Sequence, residues 1–107
     1  MDTGQLTVVN RFRVRVDERI EFRAQVDEVL ASWRRRPGLL AHDLGLNLDD
    51  PELWVLISTW VNVGAYRRAL GGTEAKLAVV PLLTRVIDEP SAFADPDEVG
   101  LNRPRGH

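Results

Sequence analysis

From Leu6 to Val16 the chain alternates, with Val8, Asn10, Phe12, Val14 and Val16 on one face and Arg11, Arg13 and Arg15 on the other. A period of two predicts a half-buried strand. Asn10 is the polar member of its apolar face. The period then changes: Phe22, Val26, Val29, Leu30 and Trp33 recur at i, i+4, i+7, i+8 and i+11, a single stripe along a helix expected over residues 18–35. Asp17 stands where its cap belongs, Arg34, Arg35 and Arg36 favour its C-terminal dipole end, and Pro37-Gly38 terminates it. Alternation returns over residues 39–48, where Leu40, His42, Leu44, Leu46 and Leu48 share a face broken only by His42. Asp49-Asp50-Pro51 turns the chain into a third strand, Trp54 to Trp60, so the second and third strands form an antiparallel hairpin.

Asn62 sits at a helix N-cap position, followed by Val63, Tyr66, Ala69 and Leu70 at helical spacing and stopped by Gly71-Gly72. Further helix is expected from Thr73 through Lys76, Leu77 and Val80 to Leu83–Ile87, with Pro81 marking a kink or a fresh start. Asp88-Glu89-Pro90 ends it. Ser91 to Asp95 is a short last strand cut off by Pro96. Residues 1–95 thus make one domain, and 96–107 a mobile or surface-laid C-terminal tail.

The order β-α-β-β-α-(α)-β is the split βαβ, ferredoxin-like α+β pattern. Helices cover only one face of such a sheet, yet the third strand is apolar on both: Trp54, Leu56 and Trp60 on one, Val55, Ile57 and Val61 on the other. A second copy packed on the open face is the simplest cover, giving a homodimer shaped as a dimeric α+β barrel.

Composition narrows the chemistry. With 44% apolar residues, 28% charged residues and a net charge of −2, the chain is an ordinary globular one with no electrostatic footprint for nucleic acid. Zero Cys removes disulfides and thiolate chemistry, and with two His, one of them the terminal His107, a multi-His metal site in one chain is excluded. The opening MDTGQLTVV has neither a basic n-region nor an apolar h-region. No apolar run approaches the ~20 residues that span a bilayer. These features predict a cytoplasmic protein without membrane contact.

No nucleotide, flavin, haem or zinc-protease motif is present, and the paired carboxylates (Asp49-Asp50, Asp88-Glu89, Asp97-Glu98) sit at turns. What stands out is polar groups on apolar faces: Asn10 on the first strand, His42 on the second, Ser58 on the third among Trp54, Leu56 and Trp60. Each could bond a neighbouring backbone group or a buried water, and the aromatics could simply be core. If they converge beneath the helices, Asn10 and Ser58 can hydrogen-bond a phenol or quinone oxygen. Trp60 can stack on its rings, with Trp54 and Leu56 beside it, and His42 or Tyr66 can move a proton.

Four segments carry a resemblance: VVNRFRV (8–14), RRPGLL (35–40), DDPELWVLISTW with AYRRAL after it (49–70), and PLLTRVIDEPSAF (81–93). In this order, over about residues 6–95, they resemble the antibiotic biosynthesis monooxygenase (ABM) family of small dimeric α+β barrels. The EPSAF block is similar to its actinobacterial branch. The resemblance implies oxidation of polycyclic phenols or anthrones to quinones by molecular oxygen, with no cofactor. The substrate anion reduces oxygen directly, and the protein binds, deprotonates and orients it. Trp60 and Tyr66 match an aromatic pair of the quinone-forming members, while Leu56 stands where those enzymes carry an Asn. Asn10 followed by Arg11 resembles the substrate-contacting Asn of the haem-degrading relatives, but their Trp and proximal His fall near Ala69 and Val79, so the haem reading fails. The expected function is a cofactor-independent, monooxygenase-like tailoring enzyme acting on an aromatic or polyketide-type small molecule. The alternatives are a polyketide cyclase or isomerase on the same barrel and a non-catalytic small-molecule-binding dimer.

Overall fold

The computed structural model describes residues 4–101. Strand β1 (Leu6–Arg13) leads through a 3-10 turn (Val16–Glu18) into α1 (Arg19–Arg34), the hairpin β2 (Leu39–Leu46) and β3 (Leu53–Trp60), helices α2 (Val63–Leu70) and α3 (Thr73–Leu83), strand β4 (Ala92–Ala94) and a short α4 (Pro96–Leu101). The four strands are antiparallel in the order β2-β3-β1-β4, the ferredoxin-like α+β arrangement. Among these residues no helix is long and apolar enough to cross a membrane.

The core lies between one sheet face and the helices. Leu6, Val8 and Phe12 of β1 and Trp54, Leu56 and Trp60 of β3 are buried together with the α1 stripe Phe22, Val26, Val29, Leu30 and Trp33. Side chains of this size contribute about 1.5–3 kcal/mol each on full burial. On the opposite sheet face Val9, Val55 and Ile57 remain half-buried, and Phe93, level with Thr7 on β4, is 53% exposed.

Several boundaries differ from expectation. β1 ends at Arg13 because Glu18 N–H bonds the Arg15 carbonyl at 2.9 Å and bends the chain. The Asp17 carboxylate pairs with Arg15 instead of capping α1. β2 stops at Leu46 because the Asn47 side-chain oxygen accepts the backbone N–H of Asp49 and Asp50, an Asx turn. Leu48 is therefore 99% exposed. A register shift between Leu39 and Ala41 takes Leu40 off the apolar face and exposes it. Pro81 does not restart α3, which runs through it; it lies near the C-terminal end, and residue 77, whose carbonyl loses its partner, is exposed. Pro96 opens α4 rather than only ending β4, with the Asp95 carboxylate accepting the Asp97 N–H at 2.8 Å. The rest of the expected tail, residues 102–107, lies outside the described residues.

β1 is flanked on its outer side by more than β4. Arg13 N–H bonds Arg85 O, Ile87 N–H bonds Arg11 O and Val9 N–H bonds Ser91 O, at 3.2, 2.8 and 2.7 Å. Residues 85–94 thus form a broken strand whose interruption, Asp88-Glu89-Pro90, swings Glu89 back to Arg11. The Arg11 Nε and Nη2 donate to the two Glu89 oxygens at 2.7 and 2.8 Å. The hydrogen-bonded guanidinium holds the Glu89 carboxyl below its ordinary range, and Asp50 is lowered first by the Glu52 N–H and then by Arg13. A carboxylate with a depressed folded-state pKa adds stability above its unfolded value, about 4, and loses it as pH falls through the folded value. Acid unfolding followed by circular dichroism should therefore begin below about pH 4, and Glu89→Gln should lessen the stability lost in that window.

Candidate functional site

The helix-facing side of β3 carries Trp54, Leu56, Ser58 and Trp60 because alternate residues share a face. Asn62 caps α2, its side-chain oxygen accepting the Ala65 N–H at 2.8 Å. That cap fixes where α2 starts and so brings Tyr66 back over Trp60, with ring centroids 5.5 Å apart. Trp33 of α1 completes the group, edge-on to Trp60 at 5.2 Å and to Tyr66 at 6.4 Å. Nothing in the sequence tied Trp33 to this site; its place on the apolar stripe of α1 was the only signal. Its indole N–H is buried without a hydrogen-bond partner among the described residues.

Ser58 belongs to the same group but is already engaged. Its hydroxyl oxygen accepts the Trp60 indole N–H at 2.9 Å, with Ser58 1% and Trp60 0% exposed. Asn10 stands directly across from Leu56 and diagonally from Ser58 in the β1–β3 register, a diagonal of about 7–8 Å. Asn10 is half-buried, and among the described residues neither its amide nor the Tyr66 hydroxyl has a hydrogen-bond partner or is sealed from solvent. Burial pushes the Tyr66 pKa up, so at neutral pH it is an uncharged phenol, able to donate a hydrogen bond but not a resting base.

His42 lies next to Ser58 across the β2–β3 pair, with β3 and a further strand spacing between it and Asn10. Its Nε2 is 3.4 Å from the Arg34 Nη2. A guanidinium only donates, so within this contact the His42 Nε2 is the acceptor. Trp54 does not join Trp60; it packs on Phe22, itself against Phe12, at 5.2 Å each. Leu56, 1% exposed, lies beneath both groups as core. The structure therefore gathers Ser58, Trp60 and Tyr66, adds Trp33, sets Asn10 and His42 on either side, and leaves Trp54 in a second aromatic cluster. Among the described residues no three His, Cys, Asp or Glu side chains are grouped to hold a metal ion.

Comparison with known proteins bears on this arrangement. The antibiotic biosynthesis monooxygenase family profile matches residues 5–80. The chain belongs to the antibiotic biosynthesis monooxygenase family. Deoxynogalonate monooxygenase of Streptomyces nogalater is 34% identical over 70 residues, which are 65% of this chain and 58% of that protein. This member of the family thus aligns with little more than half the length of that relative. A point-mutant structure of SnoaB, a cofactor-independent oxygenase from the same organism, superposes with a TM-score of 0.77 at 28% identity, covering 88% of this chain and 95% of that one. A conserved protein from Methanosarcina mazei shares the fold, with a TM-score of 0.71 at 15% identity over 87% of this chain and 92% of that one.

Proposed function

We propose that this family member is a cofactor-independent monooxygenase that tailors an aromatic or polyketide-type small molecule, bound where Trp60, Tyr66 and Trp33 meet. One observation carries the reading: on the helix-facing side of the sheet the Asn10 amide, across from Leu56, and the Tyr66 hydroxyl, the open edge of a cluster of three aromatic rings, stand unpartnered among the described residues and unsealed from solvent. A core that served only stability would bond or omit them. Tyr66, the partly exposed ring of the three, offers an apolar face backed by the buried Trp33 and Trp60, and the two tips can donate to an oxygen that gains negative charge as the substrate ionises. In the proposed reaction an activated methylene, or the ring C–H para to a phenol hydroxyl, is oxidised by O2, one oxygen atom becoming the new carbonyl and the other leaving as water with the two hydrogens lost (both from the methylene, or one from the ring carbon and one from the hydroxyl). With Tyr66 neutral, His42 is the titratable side chain left to take the first proton. It can do so through Nε2 once Arg34 releases it. The proposal is tested by oxygen uptake with a tricyclic anthrone: consumption matched by quinone formation, unaffected by chelator, is expected.

Leu56 favours one further reading. Without an Asn at that position, the site resembles one suited to acid–base work alone, as in a cyclase or isomerase. Turnover of a polyketide-like substrate with no oxygen consumed would replace the first reading by this one.

The open sheet face motivates a second part of the proposal, that two copies pack face to face. Val9, Val55, Ile57 and Phe93 present apolar surface there that a second sheet would cover. Sedimentation at micromolar concentration should give twice the 12.1 kDa of one chain. A folded monomer at that concentration would overturn this part.

A further inference from the structure

Between α1 and α3 runs a trough that the proposed reaction does not use. Two cavities of about 500 and 330 Å3 share Glu28, Leu77 and Ala78 and so form one continuous depression. It exists because the facing stripes carry small residues, Ala24 and Ala31 on α1 and Ala78 on α3, where larger ones would interdigitate and close it. Ser32 is part of its lining, 2% exposed, and its hydroxyl has no hydrogen-bond partner among the described residues. A buried hydroxyl left unbonded costs stability, so its retention here points to a partner that arrives from the trough. The rim is acidic. Asp27 and Glu28 are exposed and without an ion pair among the described residues, whereas Arg35 is already neutralised by Glu74 at 2.9 Å. Leu77, 74% exposed, forms an apolar lip.

We propose that this trough binds a small hydrophobic amine. Glu28 and Ser32 stand one helical turn apart on the same face. An ammonium group placed between them donates to the Glu28 carboxylate and, once the Ser32 side chain turns toward the trough, to its hydroxyl oxygen, with Asp27 adding to the negative field. The apolar body of the ligand lies on Ala31, Leu77 and Ala78. A volume near 500 Å3 suits a molecule of one or two rings. The site is separate from the aromatic cluster, so it stands or falls independently of the reaction.

The test is a titration of the full chain, isotope-labelled, with 2-phenylethylamine and with its neutral counterpart 2-phenylethanol, read by amide NMR shifts. The amine should saturate at one per chain and shift Glu28, Ala31, Ser32 and Leu77, with the alcohol binding about tenfold more weakly, as loss of one charged contact implies. Glu28→Gln and Ser32→Ala should each weaken the amine by about tenfold. Ser32→Ala should leave the melting temperature unchanged or higher, because no internal hydrogen bond is lost. Equal binding of amine and alcohol, an affinity indifferent to both substitutions, shifts centred on Trp60 and Tyr66, or no saturable binding would each overturn the proposal.

Discussion

Asn10→Ala should lower the oxidation rate of a polycyclic phenol by about 100-fold, the scale on which one preorganised donor to a developing oxyanion acts. Stability should change by less than about 0.5 kcal/mol. The two effects separate because the Asn10 amide has no partner among the described residues and is not sealed from solvent, so its removal orphans nothing in the fold. A core asparagine bonded to backbone would behave the opposite way, costing about 1–3 kcal/mol on truncation and leaving activity per folded molecule intact. Melting curves beside steady-state kinetics decide it. A large loss of stability with unchanged turnover would refute a substrate role for Asn10.

Trp60→Ala carries the largest expected cost in stability. The ring is 0% exposed and touches both Trp33 and Tyr66, so truncation should cost about 3–5 kcal/mol, a large part of the 5–15 kcal/mol typical of a domain. Trp60→Phe isolates the polar share. It keeps an aromatic ring but removes the indole N–H that Ser58 accepts, and should cost about 1–3 kcal/mol beyond the lost volume. Adding Ser58→Ala should return much of that, since no hydroxyl is then left unpaired. Urea unfolding of the four proteins in this cycle measures the coupling. Additivity within about 0.3–0.5 kcal/mol would mean that the Trp60–Ser58 hydrogen bond contributes nothing to the core.

The elements were legible in the chain wherever periodicity was long and clean. The α1 stripe from Phe22 to Trp33 is buried throughout, and Asn62 caps α2 as its position implied. Boundaries were lost where side chains compete with the backbone, as Asn47 does at the end of β2 and Asp95 before α4. Leu40 was misplaced because a register shift carries no mark in the sequence. At the site, alternation along β3 was enough to put Ser58 and Trp60 on one face. It could not show that Ser58 is spent on Trp60, that His42 meets Arg34, or that Trp33 enters from another element. Those are facts of tertiary packing. Glu89 illustrates the same limit: its carboxylate reads as turn solvation, yet it clamps Arg11 from 78 residues away.

The three consecutive arginines at the end of α1 read as dipole capping and solubility. In the fold they fan out to three different elements. Arg34 meets His42 of β2, Arg35 meets Glu74 of α3, and Arg36 donates to the Gly71 carbonyl at the end of α2, at 3.4, 2.9 and 3.2 Å. Each contact alone is weak and partly exposed. Their shared dependence on where the helix ends is what matters: inserting or deleting one residue in α1 ahead of Arg34 turns the helix exit by about 100° and displaces all three together. Length variation, tolerated in most surface connections, would here remove in a single step the polar ties of α1 to the hairpin and to both following helices, leaving its apolar stripe alone to hold it against them.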